Sequence, residues 1–349
     1  MNIKFAVSIV STCLLFSSTC LGATYSITDI GAFHPWGINN NGQVIGYLNV
    51  DILLWDSTNG LRDIGRLGGG TGGRPLDINN AGQVTGWSYV GVNKPHAFIW
   101  SSSGGMVDLG TLSGDSISEG RAIDQNGNVY GISVDAHRVQ KVFKWVSGSG
   151  MVDLAFPLQS GIDKLYANDA GQIAGTYSTS TGFHHGFFWD KASGLHDLGT
   201  FGGPNSYVCG IDSSGQVLGS ANLTPSGDSR AFLWDSSHGM QDIGSFGPSG
   251  ISDLGQVAGQ FSYYIGDEYV TRPCLWTVET GRVELPTLGD GNSYTSAIND
   301  TGQIVGWSIV SPGVYHSFLW TTVPEPSSLL ALAGGIAGLG GIALRRKRR

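Results

Sequence analysis

Short runs of strand-like residues recur along the chain, separated by glycine-rich turns. Within residues 75–112, Gln83–Tyr89 alternates between polar and apolar positions, whereas His96–Trp100 is apolar on both faces. Shorter runs flank this pair, at Pro75–Ile78 and Met106–Leu109. Four short strands with turn signals at this spacing predict an antiparallel meander. Because a strand that is apolar on both faces must be covered on both, we expect such meanders to stack against one another.

The meander is one copy of a repeat. Seven times the chain carries the phrase Ile-Asn-x-x-Gly-Gln-Val-x-Gly or a variant of it, followed by an apolar run that ends in tryptophan. These tryptophans recur every 42 to 45 residues and are Trp55, Trp100, Trp145, Trp189, Trp234, Trp276 and Trp320. A period of about 40–45 residues with strand-like contents is typical of a propeller blade. The sequence therefore predicts an all-β, seven-bladed β-propeller with these tryptophans in its core.

The turn between the first two strands of each repeat has the chemistry of a type I turn. Such a turn favours Asp, Asn or Ser at its first position and Gly at its fourth, where φ is positive. All seven repeats comply, with first positions Asn39, Asn79, Asp124, Asn168, Asp212, Ser252 and Asn299. We interpret these residues as turn formers and not as catalytic groups. The glycine that ends the phrase, such as Gly86, is interpreted as a point of close approach by a neighbouring blade.

The two ends of the repeat region complement each other. The last repeat stops after its third strand at Trp320, and residues 25–30 have the pattern of a fourth strand without a blade. Supplying the N-terminal strand to the last blade completes seven blades and pairs both ends, whereas a linear solenoid would expose two sheet edges. We therefore expect a ring closed by the N-terminal strand.

Both termini carry sequences typical of protein-targeting signals. Residues 1–23 combine a charged start, an apolar stretch and the small-residue site Leu21-Gly22-Ala23, which predicts a secretory signal peptide, a first transmembrane helix being the alternative. The other end holds Pro324-Glu325-Pro326, an apolar run over residues 329–344 and five basic residues. That run would cover about 24 Å of the roughly 30 Å hydrocarbon core, so it predicts a short C-terminal transmembrane helix with a cytoplasmic basic end.

This tail resembles the PEP-CTERM sorting signal of Gram-negative bacteria that produce exopolysaccharide. The resemblance rests on Pro324, Glu325 and Pro326, followed in order by the span and the arginine cluster. It implies processing by an exosortase after export by the secretion machinery, with transient anchoring in the inner membrane and release to the cell surface or extracellular matrix. An ordinary single-span anchor is the alternative.

The repeats over residues 25–320 resemble the HAF family of extracellular repeats, through the tripeptide His96-Ala97-Phe98 and its variants. That family implies an extracellular repeat protein and brings no defined activity. The expected domains are thus a signal peptide at 1–23, a propeller of HAF-type repeats at 24–322 and a sorting tail at 323–349.

Charge narrows the range of partners. Removal of residues 1–23 and 324–349 leaves 13 basic and 26 acidic residues, a net charge near −13. An acidic body argues against nucleic-acid binding, which needs basic patches. Two cysteines remain, Cys209 and Cys274, at different repeat positions. Export would permit a disulfide, but nothing in the spacing places the two side by side, so we expect buried free thiols.

A polar position recurs four residues before each repeat tryptophan and holds histidine in three repeats, at His96, His185 and His316. Since these histidines belong to different blades, they cannot converge on a metal. We interpret them as hydrogen-bonding within each blade, to the recurrent aspartate of the fourth strand. The pair His184-His185 is a weak metal site for the same reason. With no phosphate-binding loop and no nucleophile elbow in the required context, the sequence assigns no cofactor, metal or catalytic residue.

Aromatic residues are concentrated in three blades that ring closure makes neighbours. The residue after the second-strand glycine is Tyr47, Trp87 and Trp307 in blades 1, 2 and 7, and Trp36 lies in the loop that enters blade 1. The same rim carries the variable loops, such as Phe261–Thr271, where function tends to reside. Clustered aromatic rings suit flat sugar faces, which makes these four residues the candidate ligand-binding site. Packing between blades is the alternative.

The sequence favours an exported, non-enzymatic surface or matrix protein that binds polysaccharide or another surface protein. A propeller hydrolase or lyase with its acids on the variable rim is one alternative. A purely structural matrix component is the other.

Overall fold

Within the residues that the computed structural model describes (24–158, 161–289, 291–311 and 313–323), 28 strands form seven four-stranded sheets. The predicted all-β, seven-bladed propeller is confirmed. The predicted signal peptide, sorting motif and transmembrane span lie outside the described residues.

Blades 1 to 4 each use four consecutive strands. These are β2 (His34–Ile38), β3 (Val44–Leu48), β4 (Asp51–Asp56) and β5 (Gly60–Asp63) in blade 1; β6 (Gly73–Ile78), β7 (Val84–Gly91), β8 (Lys94–Ser101) and β9 (Gly105–Gly110) in blade 2; β10 (Ile117–Ile123), β11 (Val129–Val134), β12 (Gln140–Val146) and β13 (Gly150–Asp153) in blade 3; and β14 (Ile162–Ala167), β15 (Ile173–Ser178), β16 (His184–Asp190) and β17 (Gly194–Gly199) in blade 4.

Blades 5 and 6 follow the same order, and blade 7 differs in the origin of its fourth strand. The strands are β18 (Ser206–Ile211), β19 (Val217–Asn222), β20 (Ser229–Asp235) and β21 (Gly239–Gly244) in blade 5; β22 (Gly247–Ile251), β23 (Val257–Ile265), β24 (Glu268–Thr277) and β25 (Gly281–Glu284) in blade 6; and β26 (Ser293–Ile298), β27 (Ile304–Ser311) and β28 (Val314–Val323) with β1 (Thr24–Gly31) in blade 7. In the described part of the chain, the helical structure is a single 3₁₀ turn at Leu67–Gly69.

The seventh sheet closes the ring by the predicted route. Its strand order is β26-β27-β28-β1, so the N-terminal strand lies beside the last strand. Nδ1 of His316 lies 2.7 Å from Oδ2 of Asp29 across this seam. The equivalent distance within blade 2, between His96 and Asp108, is 3.0 Å. The seam therefore repeats an ordinary intra-blade contact, and the structure confirms both the closure and the interpretation of the histidine position.

The first strands of the blades surround a central channel. They contact one another in the order β2, β6, β10, β14, β18, β22 and β26, and β26 returns to β2. Each of the seven carries a β-bulge, which bends a strand and re-aims a side chain. Six of the bulge residues line the channel, namely Trp36, Leu76, Arg121, Cys209, Ser249 and Ser296.

The turns between first and second strands lie together at one end of the ring, which we call the turn rim. In each turn the N–H of the fourth residue donates to the carbonyl of the first, as Gly42 does to Asn39 at 3.0 Å, and φ of the glycine is positive. The predicted turn type is therefore confirmed.

The asparagines of these turns also join neighbouring blades, which the sequence interpretation missed. Nδ2 of Asn39 donates to the carbonyl of Asn79 in the next blade at 2.9 Å, and Asn299 donates to the carbonyl of Asn39 at 2.8 Å. Asn79 and Asn168 form the same bond with the blades that follow them. The repeated asparagine is thus selected by two tasks, forming a turn and tying one blade to the next.

The opposite end of the ring, the variable rim, carries the connections between second and third strands and between blades. The segment Phe261–Thr271, expected to be a loop, is instead a continuation of β23 and β24, which pair out to Ile265 and Glu268. The expectation of a loop was wrong because an exposed hairpin and a polar loop can show the same alternation of polar and apolar residues. This rim is therefore built from protruding hairpins as well as loops.

The hydrophobic core lies between the blades. All seven repeat tryptophans belong to or pack against buried apolar clusters, as Trp100 does with Phe98 and Trp320 does with Phe318, which confirms their packing role. The interpretation of Gly86 was wrong. A Cβ there would meet the carbonyl of Arg74 in the same blade, since the bulge brings the first strand close.

Two further observations concern the described residues. Cys209 and Cys274 are free thiols. Cys274 is buried, as expected, and burial raises its pKa to about 12, whereas Cys209 is half-buried in the channel wall. A search of the described ranges finds no helix long and apolar enough to cross a membrane.

Candidate functional site

Two adjoining cavities share lining residues, one running along the central channel and the other lying at the variable rim. The first, of about 530 Å³, is lined by first-strand residues of all seven blades together with Tyr47 and Trp307. The second, of about 350 Å³, lies over blades 1 to 4 and includes Trp87 in its wall. Five residues line both cavities and define the surface they share: Trp36, Leu76, Arg121, Lys164 and Tyr166. We call the variable-rim end of the two cavities, which includes Tyr47, Trp87 and Trp307, the mouth.

The four aromatic residues singled out from the sequence all lie at the mouth, in two different settings. Trp36 sits at the bulge of β2, is 47% exposed and lines both cavities. Trp87 is half-buried, lies against Tyr89 with ring centroids 5.2 Å apart and lines the second cavity. Tyr47 and Trp307 are half-buried in contacts between blades. Exposure at a cavity and packing between blades therefore both occur within the set, and ligand contact by these residues stays a prediction.

A continuous stack of rings joins blades 2, 1 and 7. The guanidinium of Arg74 lies 3.5 Å from the ring centroid of Tyr47, which stacks on His34 with centroids 5.1 Å apart. His34 in turn stacks on Tyr315 of blade 7 at 4.4 Å. Trp307 meets His34 edge-on at 6.3 Å. Stacked and edge-to-face rings stabilise by about 0.5–1.5 kcal/mol per pair beyond burial, so this stack holds one side of the mouth rigid.

The imidazole of His34 is kept neutral inside this stack. Burial lowers the pKa of His34, and the positive charge of Arg74 lowers it further. A neutral ring adds no charge to the mouth and stacks well between two tyrosines. Its role is therefore to shape the wall beside Trp36.

The charged residues of the mouth were missed by the sequence interpretation. Blades 2, 3 and 4 contribute Arg74, Glu119, Arg121, Asp163 and Lys164 to the second cavity. The sequence did contain a pattern that could have placed these charged residues at the mouth. Arg74 and Lys164 are the cross-strand partners of Trp87 and Thr176, the residues that follow the second-strand glycines. Aligning the first strands of the repeats as well as the second would have placed these side chains at the same rim as the aromatics.

Neighbouring groups hold the side chains of Arg121 and Asp163 in place. Nη2 of Arg121 lies 2.6 Å from Oε2 of Glu119, and Nη1 donates to the carbonyl of Asp163 at 2.8 Å. The carboxylate of Asp163 also lies 2.9 Å from Nδ1 of His184. Lys164 is exposed and has no ion-pair partner among the described residues. The mouth thus presents one uncompensated ammonium group beside a fixed guanidinium plane.

Deeper in the channel lie groups whose ionisation is suppressed. Burial raises the pKa of Asp77 to about 7, although the backbone N–H groups of Ile78 and Ile123 partly offset this by donating to its carboxylate. Burial also raises the pKa of Tyr166, where the two cavities meet, and of the Cys209 thiol in the channel wall. Tyr166 and Cys209 therefore stay neutral at physiological pH, whereas Asp77, with a pKa of about 7, is ionised in part.

This arrangement suits binding of a polar ligand with flat apolar faces. Two indoles supply ring surfaces, Arg121 and Lys164 supply donors, and Glu119 and Asp163 supply acceptors at the same entrance. Half of the residues that line the second cavity are charged, so it is more polar than the usual small-ligand pocket, which is mostly apolar. Within the described residues, no group of three or more His, Cys, Asp or Glu side chains could hold a metal ion.

Comparison with known proteins identifies the C-terminal end. Residues 322–349 match the PEP-CTERM protein-sorting motif. This motif is a sorting signal recognised by exosortase, so the chain carries a signal for export and for processing at the membrane. No curated protein matches the sequence of the chain.

Solved structures share the fold at low sequence identity. A prolyl endopeptidase structure is 11% identical with a TM-score of 0.56, over 87% of this chain and 50% of that one. An acylaminoacyl peptidase from Pyrococcus horikoshii is 11% identical with a TM-score of 0.54, over 87% of this chain and 54% of that one. YCF48 bound to D1 peptide is 11% identical with a TM-score of 0.51, over 88% of this chain and all of that one. The chain spans about half the length of the two peptidases, and these similarities concern the fold alone.

Proposed function

We propose that this protein is a cell-surface or extracellular-matrix propeller that binds polysaccharide at the mouth without chemically altering it. The observation that carries the proposal is Trp36, an indole 47% exposed at the junction of two cavities. A large aromatic side chain left open at the entrance of a rigid channel offers a contact surface at a low cost in conformational entropy. The export and sorting signal supplies the setting in which such a ligand is met.

The four candidate residues take different parts in this proposal. Trp36 and Trp87 provide the faces on which sugar rings lie, since both border the second cavity. Tyr47 and Trp307 support them from the stack between blades. The resemblance of the repeats to HAF-type extracellular repeats fits the same location. Each blade then serves as a scaffold unit, and specificity resides where blades 7, 1, 2, 3 and 4 meet at the mouth.

Binding of the purified, secreted protein to the exopolysaccharide of the producing organism tests the proposal. Trp36→Ala should weaken binding, because it removes the exposed ring. Tyr269→Ala is the matched control, since Tyr269 is 59% exposed on the hairpin of blade 6 and does not line the mouth. Equal loss in both variants, or no binding by the unaltered protein, contradicts the proposed site.

The same material separates binder from enzyme. Polysaccharide incubated with the protein should keep its chain length, measured by size-exclusion chromatography and by new reducing ends. Chain shortening would establish the hydrolase or lyase alternative. A protein that neither binds nor shortens the polysaccharide would favour a structural matrix component or a protein partner.

Release from the membrane is proposed as well, with removal of the tail by exosortase. The mass of the protein recovered outside the cell should correspond to a C-terminus near Pro324. A mass that includes Arg349 would instead indicate an ordinary membrane anchor.

A further inference from the structure

We propose that the polysaccharide bound at the mouth is sparsely anionic, and that Lys164 binds the carboxylate of an isolated uronate residue while Trp36 and Trp87 contact the sugar rings. This inference rests on the proposed polysaccharide binding and names the chemistry of the ligand.

The distribution of basic residues supports an anionic ligand. Residues 24–323 hold 13 basic and 26 acidic residues. Three of these 13 cations, Arg74, Arg121 and Lys164, line the second cavity, and they come from three consecutive blades. The same cavity also holds Glu119 and Asp163, so it carries a net excess of one positive charge beside an aromatic surface, in a body with twice as many acids as bases.

The state of each cation identifies the one that is available. Arg74 lies on the ring of Tyr47 and donates to the carbonyl of Asn49 at 3.1 Å. Arg121 is neutralised by Glu119 at 2.6 Å. Lys164 is exposed, lines both cavities and pairs with no carboxylate in the described part of the chain. An incoming carboxylate therefore meets an ammonium group that has no internal partner to give up.

A lysine of blade 3 shows the contrast. Nζ of Lys141 lies 2.6 Å from Oδ1 of Asp115 and is used within the fold. The charge of Lys164 is instead felt in the channel, where it opposes the burial that raises the pKa of the Cys209 thiol. The ammonium group thus lies near the channel wall, close to the surface that Trp36 shares between the two cavities.

Arg121 prepares the other side of the carboxylate site. Its Nη1 and Nη2 atoms are fixed by the carbonyl of Asp163 and by Glu119, so the guanidinium plane is pre-oriented. Its Nε is buried and has no hydrogen-bond partner among the described residues. Guanidinium groups held in this way stack on and orient planar ligands. Lys164 supplies the net charge, and Arg121 supplies a rigid polar wall beside it.

The acidic body explains why the anion should be sparse. The second cavity holds three cations and two carboxylates, so its excess of one positive charge can neutralise one ligand carboxylate. Further carboxylates would face a body with a net charge near −13. At physiological ionic strength, charges within about 8 Å of each other still interact. A chain of contiguous uronates would therefore be repelled beyond the mouth, whereas a single uronate flanked by neutral sugars would not.

Isothermal titration calorimetry of the mature protein tests the inference with a matched pair of ligands. These are an aldobiouronic acid, which is one uronate joined to one neutral hexose, and its carboxyl-reduced neutral form. We expect the acid to bind about tenfold more tightly, a difference of about 1.4 kcal/mol. Lys164→Gln should abolish this preference and leave affinity for the neutral sugar unchanged.

Lys191→Gln is the matched control, since Lys191 is an exposed lysine of the same blade in the turn between β16 and β17 at the opposite rim. It should preserve the preference for the acid. Equal binding of the two sugars by the unaltered protein, or a preference that survives Lys164→Gln, overturns the inference and leaves polysaccharide binding intact. Binding of the neutral sugar but not the acid also overturns it. If neither sugar binds and the organism's exopolysaccharide does not bind either, the proposed function fails together with the inference.

Discussion

Asn299 offers a direct test of the hydrogen bonds that hold blade 7 against blade 1. Its side chain is 4% exposed. Oδ1 accepts hydrogen bonds from the backbone N–H groups of Thr301 and Gln303 at 3.1 and 2.9 Å, and Nδ2 donates to the carbonyl of Asn39 at 2.8 Å. Asn299→Asp preserves the shape and the acceptor and removes the donor. The substitution therefore removes the bond from blade 7 to blade 1, together with a second bond that Nδ2 donates to Oε1 of Gln303 at 2.9 Å.

The expected loss of stability depends on which hydrogen bonds the Asn39 carbonyl keeps after the substitution. It still accepts the N–H of Gly42 at 3.0 Å, so it loses one of two partners. The Gln303 side chain can turn its amide toward a carboxylate, as Asn128 does toward Asp124 at 2.7 Å in blade 3. The loss is thus one buried hydrogen bond plus the approach of a carboxylate oxygen to a carbonyl oxygen. We expect a destabilisation of about 1–3 kcal/mol.

Urea unfolding of the secreted protein, followed by tryptophan fluorescence, measures this loss. Asn168→Asp is the internal control, because Nδ2 of Asn168 donates to the carbonyl of Asp212 at 2.9 Å between blades 4 and 5. Both substitutions should lower the free energy of unfolding by similar amounts. A change below about 0.5 kcal/mol for Asn299→Asp, the range of ordinary surface substitutions, would refute the reasoning.

Three further predictions concern the mouth, the channel and the seam. Trp36→Ala should leave the free energy of unfolding nearly unchanged. Trp307→Ala removes a ring stacked on Tyr294 at 4.3 Å and should lower the free energy of unfolding in urea by about 2–3 kcal/mol. Equal losses of stability in the two variants would contradict their separate roles. Because burial raises the pKa of Asp77 to about 7, the free energy of unfolding should fall as pH rises from about 4 to about 7. Asp77→Asn should remove this fall in stability. Identical pH profiles for the variant and the unaltered protein would disprove the assignment to Asp77. Deletion of residues 24–31 should leave the edge of β28 unpaired and cause association detectable by light scattering, and a monomeric, stable variant would count against the closing strand.

The fold could be predicted because its signals are local. Each turn needs a side-chain acceptor such as that of Asn39 and a glycine such as Gly42, and the two are the first and fourth residues of the same turn. Counting strands was then enough to assign Thr24–Gly31 to the last blade. Neither step required knowledge of which residues meet across blades.

Contacts between repeats were beyond this reasoning. The acceptor of Asn39 Nδ2 is a carbonyl 40 residues away, and nothing in the turn motif specifies it. The role given to Gly86 was wrong for a related reason. The β-bulge that brings the carbonyl of Arg74 onto it is set by the curvature of the first strand and leaves no mark in the alternation of residues.

The candidate site was predictable in its aromatic part and not in its charged part. Tyr47, Trp87 and Trp307 share a repeat position, so their clustering in blades 7, 1 and 2 could be read directly. Arg121 occupies a bulge and Lys164 lies in the strand whose bulge is shifted toward the rim. Their convergence at the mouth depends on how strongly each strand bends, which only the structure gives.

Closure of the ring by β1 constrains the order in which parts of the chain can fold. The seam contact between Asp29 and His316 joins residues 287 positions apart, and such non-local pairing is slow because the chain must first lose loop entropy. Until it forms, β1 and the edge of β28 both present unpaired strand surfaces, which are prone to associate with other chains. The strand that completes the last blade is synthesised first and must stay available until the rest of the propeller has been made.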